Sequence, residues 1–258
     1  PNLLYPVPPE KAVTTHQAVL NAVIQFVKER NAARIIVGDS PGVATMDVAG
    51  RKSGLKQIAE DQNVEWIEFN NPTLLVNKAG IIQKQFFPAE IVCNSDVIIS
   101  IPKLKTHEMM YYTGALKNLF GTIPGLNKSR FHFNFPEKND FATMIVDLNI
   151  ALKSSYAVMD AIVAMEGPGP GSGDPKHLGL ILASSNLLAM DITAAELIGY
   201  DSMNIPILKI ATDTGFWLDS KEEIIQTGEI PEEVKPLNFK KVKVLKDTGF
   251  IKKVLPRV

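Results

Sequence analysis

Two lysines and a histidine closely follow an apolar run at residues 97–101. Pro102 interrupts this run, and the segment PKLKTH then supplies Lys103, Lys105 and His107. Ammonium groups bind phosphates and carboxylates, and an imidazole can exchange a proton near neutral pH. Nearby lysines would lower the pKa of His107 and keep its ring neutral. The segment therefore predicts an anion site with His107 as acid or base; the alternative is that the lysines extend a strand into solvent.

Charge of opposite sign is concentrated in two later segments. Residues 103–130 carry five basic side chains and one carboxylate, whereas residues 160–201 carry six carboxylates and one lysine. The basic segment includes Lys117 at the start of a predicted helix, whose free amides would also attract an anion. The acidic segment offers Asp160 and Glu166 as proton-transfer groups. We expect one wall of a site to bind an anion, and the other to bind a cation or act on protons.

A glycine-rich stretch, GPGPGSG at residues 167–173, follows Glu166. It lacks the Gly-Lys-Ser/Thr of a phosphate-binding loop and the GxGxxG spacing of a dinucleotide site, and its prolines have no amide to donate. We expect a stiff turn that positions Glu166 and closes over a ligand; a plain surface loop is the alternative. The four histidines show no HxxxH or HExxH spacing. A metal site would need residues that converge only in space, and metal binding stays open.

Helices that alternate with apolar strands must position these residues. The predicted helices are a first one capped by Thr14 or Thr15 and ended by Asn31, followed by 53–62, 113–120, 140–152 and 187–198. The predicted strands are 34–38, 64–69, 97–101, 156–163 and 178–183, with an edge strand at 240–246. This alternation indicates an α/β protein, specifically a three-layer α/β/α domain with a mainly parallel sheet.

Ligands of such sheets bind beyond the carboxyl ends of the strands. The residues expected to share that edge are Asp39 with Ser40, the segment PKLKTH, Asp160 with Glu166, and Ser184 to Asn186 followed by Asp191. The 34–38, 97–101, 156–163 and 178–183 strands should therefore belong to one sheet.

Composition limits the kind of protein. The 258 residues are 45% apolar, and 27 basic against 28 acidic side chains give a formal charge of −1. We expect no nucleic-acid partner, because there is no cationic surplus, and no membrane partner, because no apolar run reaches the roughly 18 to 20 residues of a span. Cys93 is the single cysteine. The chain alone therefore cannot supply the thiolates of an iron–sulfur cluster, and we expect a cytoplasmic location.

Several segments taken together resemble one family. They are PNLL, PKLKTH, TGALKNLFGTIPG, SRFH, MDAIVAMEGPGPGSGDP and LLAMDITAAELIG, in this order within residues 1–199. The chain resembles the family catalogued as domain of unknown function 362. In that family PNLL follows a first strand, so the resemblance implies a strand before Pro1 in a single α/β domain that otherwise spans residues 1–258. Members often carry a ferredoxin-like module with cysteine-ligated clusters, which implies a redox link and a ferredoxin-like partner in bacteria or archaea.

The resemblance implies a shared set of polar and glycine residues but no established reaction. The candidate catalytic residues are His107, Glu166 and Asp160, and the candidate cofactor-binding residues are Lys103, Lys105, Lys117, Asn118, Arg130, Gly167, Gly169 and Gly171. Two functions stay open: an enzyme or redox-linked protein acting on a small anionic substrate, and a non-catalytic module that docks an anionic cofactor or a ferredoxin partner. Catalysis requires a proton-transfer group within reach of the bound anion, whereas docking does not. The identity of the cofactor is not predicted.

Overall fold

A computed structural model describes residues 1–229, 231–236 and 238–243. The strands are β1 (Ile36–Asp39), β2 (Glu65–Glu68), β3 (Leu75–Val76), β4 (Gln85–Phe86), β5 (Ile99–Ser100), β6 (Lys103–His107), β7 (Tyr111–Thr113), β8 (Tyr156–Glu166) and β9 (Asp174–Ser184). The helices are α1 (Gln17–Lys28), α2 (Met46–Ser53), α3 (Leu55–Asp61), α4 (Glu90–Cys93), α5 (Ala115–Asn118), α6 (Gly125–Asn134), α7 (Lys138–Leu152), α8 (Leu187–Leu197), α9 (Pro206–Asp213) and α10 (Pro231–Val234). Short 3₁₀ turns lie at Pro9–Lys11, Leu119–Thr122, Ser202–Asn204 and Lys221–Glu223.

The main sheet is organised around β8. β9 runs antiparallel along one edge of β8, from the pair Ala157–Ser184 to the pair Glu166–Asp174. The other edge holds β5 and β6, both parallel to β8, and β7 pairs antiparallel with β6. A second, two-stranded parallel sheet joins β1 to β2. The mixture of helices and parallel strand pairs confirms the α/β class; the three-layer arrangement and the single domain stay predictions.

The two faces of β8 pack against different helices because successive side chains of a strand point to opposite sides. Ala157, Met159 and Ala161 lie in a core with residues of α5, α7, α8 and α9. Val158 and Ile162 pack against a second core built from α1, α2, α3 and β1. β8 is therefore covered on both faces, which explains why its sequence is apolar with little alternation.

The predicted helices form, with local changes at their ends. α1 begins after His16, whose Nδ1 accepts a hydrogen bond from Ala18 N at 3.2 Å, so the predicted threonine caps are wrong. Gly54 has a φ of +76° and separates α2 from α3, so the helix predicted at 53–62 begins only at Leu55. The predicted 113–120 helix begins at Ala115, because Tyr111 to Thr113 form β7.

The prediction that residues 34–38 share a sheet with the other strands is wrong. β1 pairs only with β2 among the described strands. Asn2 N donates to the Ile101 carbonyl at 3.1 Å, so the N-terminal segment, and not β1, bonds the chain just after β5. Leu3 N donates to Asp39 Oδ2 at 2.9 Å, which ties the same segment to the end of β1.

Two further strand predictions need correction. The 178–183 strand is part of β9, and because β9 is antiparallel to β8, Ser184 lies at the opposite end of the sheet from Glu166. The segments after β8 and β9 therefore do not share one edge. No strand forms at 240–243, and residues 244–246 of the predicted edge strand lie outside the described part of the chain.

Candidate anion-binding site

The segment PKLKTH is a buried strand and not the solvated extension of one. Lys103 and Lys105 of β6 are each only 1% exposed, and His107 is 6% exposed. β6 lies between β7 and β8, so its backbone is paired on both sides. Residues two apart on a strand share a face, which points these three side chains in one general direction.

Lys103 is neutralised by Asp160, its cross-strand partner on β8. The Nζ–Oδ2 distance is 2.8 Å, and both side chains are almost completely buried. Asp160 also accepts backbone hydrogen bonds from His16 N at 2.7 Å and Ile162 N at 3.2 Å. Burial lowers the pKa of Lys103, and the Asp160 charge partly offsets this effect. Lys103 and Asp160, both candidate site residues, therefore form a buried ion pair inside the sheet.

Lys105 is held by neutral oxygens. Its Nζ donates to Asn2 Oδ1 at 2.8 Å and to the Val13 carbonyl at 2.7 Å. Asn2 Nδ2 donates to Asn118 Oδ1 at 3.0 Å, and Asn118 Nδ2 donates to Ser100 Oγ at 3.0 Å, so one polar network connects the lysine to β5 and α5. Burial, then the charges of Lys117 and Lys103, lower the pKa of Lys105 to about 7.

The His107 ring acts as an acceptor at Nδ1. Met109 N and Met110 N donate to this atom at 3.1 Å and 3.3 Å. In the neutral ring the proton is therefore on Nε2, which becomes the available donor. Burial, followed by the charges of Lys117, Lys105 and His132, lowers the pKa of His107 well below its usual value.

Two further lysines and a second histidine complete what we call the cationic cluster. Charges within this group lower the pKa values of most of its members. The cluster consists of Lys105, His107, Lys117, Lys128 and His132. Lys117 and Lys128 are half-buried and form the outer part, whereas Lys105 and His107 form the buried part. Burial, followed by the charge of Lys128, lowers the pKa of Lys117 to about 8, and burial also lowers that of Lys128. Burial and both outer lysines lower the pKa of His132 to about 4.

Asp39 is the carboxylate whose charge favours the protonated forms of Lys105 and Lys128. Its oxygens accept backbone hydrogen bonds from Ser40 N at 2.7 Å and Leu3 N at 2.9 Å, and the Ser40 carbonyl accepts from Lys128 Nζ. A Cβ at Gly121 would lie 2.4 Å from Asp39 Oδ1, so only glycine permits this approach. Two lysines of the cluster, Lys105 and Lys128, are thus affected by the charge of this one buried carboxylate.

Lys117 differs from its neighbours in its bonding. Lys103, Lys105 and Lys128 each donate to an oxygen of the chain. In the described part of the chain, Lys117 makes neither a hydrogen bond nor an ion pair. The Lys117 Nζ is not completely enclosed by the protein, so an anion from outside the chain can accept a hydrogen bond from it.

Glu166 and the glycine-rich loop lie against other parts of the chain. Glu166 Oε2 accepts from Lys240 N at 2.9 Å, and Lys240 Nζ lies 3.7 Å from its other oxygen. Thr106 Oγ1 donates to the Gly167 carbonyl at 2.8 Å, and Tyr5 donates to the Gly171 carbonyl at 2.5 Å. These contacts show how the loop is anchored; the prediction that it closes over a ligand stays a prediction.

The remaining candidate residues are Asn118, Arg130 and Asp191. Asn118 belongs to the polar network of Lys105, as described above. Arg130 is exposed on α6 and makes no hydrogen bond or ion pair with the described residues. Asp191 caps α5 by accepting from Ala115 N at 2.6 Å and Leu116 N at 2.9 Å, and burial raises its pKa to about 6. Across the described ranges, no three His, Cys, Asp or Glu side chains are grouped as a metal site requires.

Comparison with known proteins agrees with the resemblance seen in the sequence. The family model for Domain of unknown function (DUF362) matches residues 1–196. The chain belongs to the DUF362 family. This range contains every residue of the cationic cluster. The DUF362 chain is also 28% identical over 259 aligned positions to the "Thylakoid-associated protein sll1697" of Synechocystis sp. strain PCC 6803, covering 96% of this chain and 80% of that protein.

The helices of this DUF362 protein bear on the membrane prediction. Among the residues that the structure describes, every helix is too short or too polar to cross a bilayer. The iron–sulfur association that the resemblance implies stays a prediction.

Sequence reasoning missed Asn2 and underrated Lys128. Asn2 is part of PNLL, but only the fold brings it to Lys105 and Asn118. Lys128 was counted in the basic segment, but nothing in its spacing indicated that it reaches Ser40 at the end of β1. The local excess of basic residues at 103–130 is a signal for Lys128 but not for Asn2.

Proposed function

We propose that the cationic cluster binds a small anion, namely the carboxylate or phosphate group of a substrate or cofactor. The observation that carries this proposal is Lys117, a half-buried amine with no acceptor in the described part of the chain. Its neighbours Lys105 and Lys128 are also basic, so the site lacks negative charge rather than positive charge. Charge-assisted hydrogen bonds from several ammonium groups are the interactions that hold phosphates and carboxylates.

His107 fits this proposal as a neutral donor rather than as an acid or base. Two backbone amides already donate to its Nδ1, so protonating that atom would break both hydrogen bonds. Its Nε2–H can donate to an oxygen of the anion without a change of protonation. The role predicted from the sequence, in which His107 moves a proton, stays the alternative.

The state of the carboxylates favours docking over acid–base catalysis by these groups. Asp160 is paired with Lys103, and Glu166 is bonded to Lys240. Both carboxylates therefore already have bonding partners within the chain. The non-catalytic alternative, which docks an anionic cofactor or a ferredoxin partner, uses the same lysines and requires no proton transfer.

Calorimetric titration with sulfate, phosphate and simple carboxylates at low salt tests the anion proposal. Lys117→Ala removes the unpaired ammonium, and we expect sulfate affinity to fall at least about tenfold, because a hydrogen bond to a charged group contributes about 1.5–3 kcal/mol. Lys52→Ala is the matched control, since Lys52 is exposed on α2 and the substitution changes net charge equally. Equal affinity in all three proteins would refute the proposal.

We also propose a cytoplasmic location and a link to redox metabolism. They rest on the single cysteine and on the resemblance, respectively. The Synechocystis relative is described as thylakoid-associated, so fractionation of the native host would decide the location.

A further inference from the structure

Exposed apolar side chains are concentrated on the hairpin that β3 and β4 form. We call residues 72–89 the apolar hairpin, since a bridge between Pro72 and Ala89 closes its base. Five of its large apolar side chains are between 41% and 55% exposed: Leu74, Val76, Ile81, Ile82 and Phe87. Exposed apolar surface that is grouped in this way typically marks an interaction site.

The apolar hairpin is apolar on both of its faces. Leu75 lies opposite Phe86 in the register of the two strands. Phe86 is fully buried in the main core, and Leu75 packs against that core. Because neighbouring residues of a strand point to opposite sides, Leu74, Val76 and Phe87 point away from the core. The inner face is therefore covered by the protein, whereas the outer face is not covered by the described residues.

The tip of the hairpin is fixed by Asp147 of α7. The buried Asp147 carboxylate accepts hydrogen bonds from Ile81 N at 2.8 Å and from Ile82 N and Gln83 N at 2.9 Å. Asn77 Nδ2 donates to the Asp147 carbonyl at 2.8 Å. The side chains of Ile81 and Ile82 are nevertheless 55% and 41% exposed. The two isoleucines thus project from an anchored backbone, so a partner would not have to order this segment on binding.

The charged residues of the hairpin are all basic. Residues 69–89 contain Lys78 and Lys84 but no Asp or Glu, although the whole chain has a formal charge of −1. Both lysines are exposed, and neither makes a hydrogen bond or ion pair with the described residues. Two-fold pairing of this hairpin with a second copy would bring four lysines together without a carboxylate, whereas an anionic surface would attract them.

We propose that the apolar hairpin binds the surface of an anionic lipid bilayer. The apolar side chains enter the boundary between headgroups and acyl chains, and Lys78 and Lys84 contact the headgroup phosphates. The expectation of no membrane partner rests on the lack of a spanning run, and binding at the surface requires no such run. This inference is independent of the anion site in the cationic cluster.

Co-sedimentation with lipid vesicles tests the electrostatic part of this inference. The intact chain is mixed with vesicles of phosphatidylcholine alone, or of equal parts phosphatidylcholine and phosphatidylglycerol. We expect binding to the anionic vesicles that decreases with added salt, and much weaker binding to the neutral ones. The lysine variant, Lys78→Gln with Lys84→Gln, should bind about 25-fold more weakly, because each lysine near an anionic surface raises affinity about fivefold. Lys11→Gln with Lys52→Gln is the matched control, since both lysines are exposed and the charge change is equal.

A second pair of variants tests the apolar contact. The isoleucine variant, Ile81→Ser with Ile82→Ser, should bind at least about tenfold more weakly, because each methylene buried in the bilayer raises affinity about fourfold. Val97→Ser with Ile181→Ser is the matched control, since each of these side chains is 54% exposed outside the hairpin. Thermal unfolding of each variant checks that the fold is retained.

Analytical ultracentrifugation distinguishes the lipid surface from a second copy of the chain. A parent protein that dimerises, with an isoleucine variant that stays monomeric, would overturn the lipid proposal in favour of self-association. Absence of binding to anionic vesicles, or equal binding by the parent and both hairpin variants, would also overturn it. Binding that both hairpin variants lose and both controls keep would support it.

Discussion

Replacing Asp160 by Asn removes the partner of a buried ammonium group and leaves the rest of the sheet in place. In the parent protein Lys103 Nζ lies 2.8 Å from Asp160 Oδ2, and the two side chains are 2% and 0% exposed. Breaking a buried pair by removing one partner costs about 3–5 kcal/mol, because the remaining charge stays without compensation. The free energy of unfolding of most proteins is about 5–15 kcal/mol, so this loss is a large part of the total.

Urea denaturation at pH 7 measures this cost directly. We expect the midpoint for Asp160→Asn to fall by about 1–2 M, given a denaturant slope of about 2–3 kcal/mol per M for a chain of this size. Asp96→Asn is the matched control, because Asp96 is exposed, and it should change stability by less than about 0.5 kcal/mol. Adding Lys103→Met to Asp160→Asn should recover part of the loss by removing the unpaired charge.

The pH dependence of the loss identifies its cause. Burial lowers the pKa of Lys103, and removing Asp160 takes away the charge that raises it. The folded variant therefore binds fewer protons than the unfolded chain between the lowered pKa and the usual lysine value, so its stability rises with pH in that window. We expect the gap between parent and variant to narrow from pH 7 to pH 9. A loss below about 1 kcal/mol, or a gap independent of pH, would refute the buried-pair reasoning and return Asp160 to the list of candidate proton-transfer groups.

Two other predictions test the site and the loop. Sulfate affinity should fall as pH rises from 7 to 9, because Lys105 and Lys117, with pKa values of about 7 and 8, lose the protons that attract the anion. Calorimetry in buffers of different ionisation enthalpy should show proton uptake on binding. An affinity independent of pH would contradict this prediction. Gly169→Ala should destabilise the protein by about 1–3 kcal/mol in urea denaturation, because the added Cβ would lie 2.1 Å from a carbonyl oxygen of β6. Gly42→Ala is the control: a Cβ there has nothing within 4 Å, so its effect on stability should be close to zero. Equal effects of the two substitutions would show that the loop does not pack tightly.

The long elements could be predicted from the sequence because their patterns are local. α7 and α8 carry repeated apolar residues, and both form close to the predicted bounds. The predicted 156–163 strand forms as β8, which continues to Glu166. In each case burial of one continuous apolar segment decides the structure, and no distant residue is needed to recognise it.

The site could be predicted only in part, because its contacts are distant in the sequence. The basic segment indicated an anion site, but lysines on a strand are usually solvated, and nothing in PKLKTH shows that Lys103 meets Asp160. Because β8 and β9 are antiparallel, Glu166 and Ser184 lie at opposite ends of the sheet. Parallel strands would have placed both residues at the same edge. Asn2 belongs to the PNLL segment, but nothing in that segment shows that it reaches Lys105.

The register of β6 against β8 explains why two lysines on one strand differ. Lys103 lies opposite Asp160, but the register shifts before Lys105, whose partner is Met165. No carboxylate therefore lies across from Lys105, and Glu166, the next residue of β8, is bonded to Lys240. Irregular registers of this kind are common next to functional sites, because they redirect side chains without breaking the sheet. The shift leaves the charge of Lys105 to add to those of Lys117 and Lys128. The sheet thus neutralises Lys103 through Asp160, whereas Lys105 and Lys128 are affected by the charge of Asp39 without an ion pair to it, and the anion-binding proposal rests on this difference.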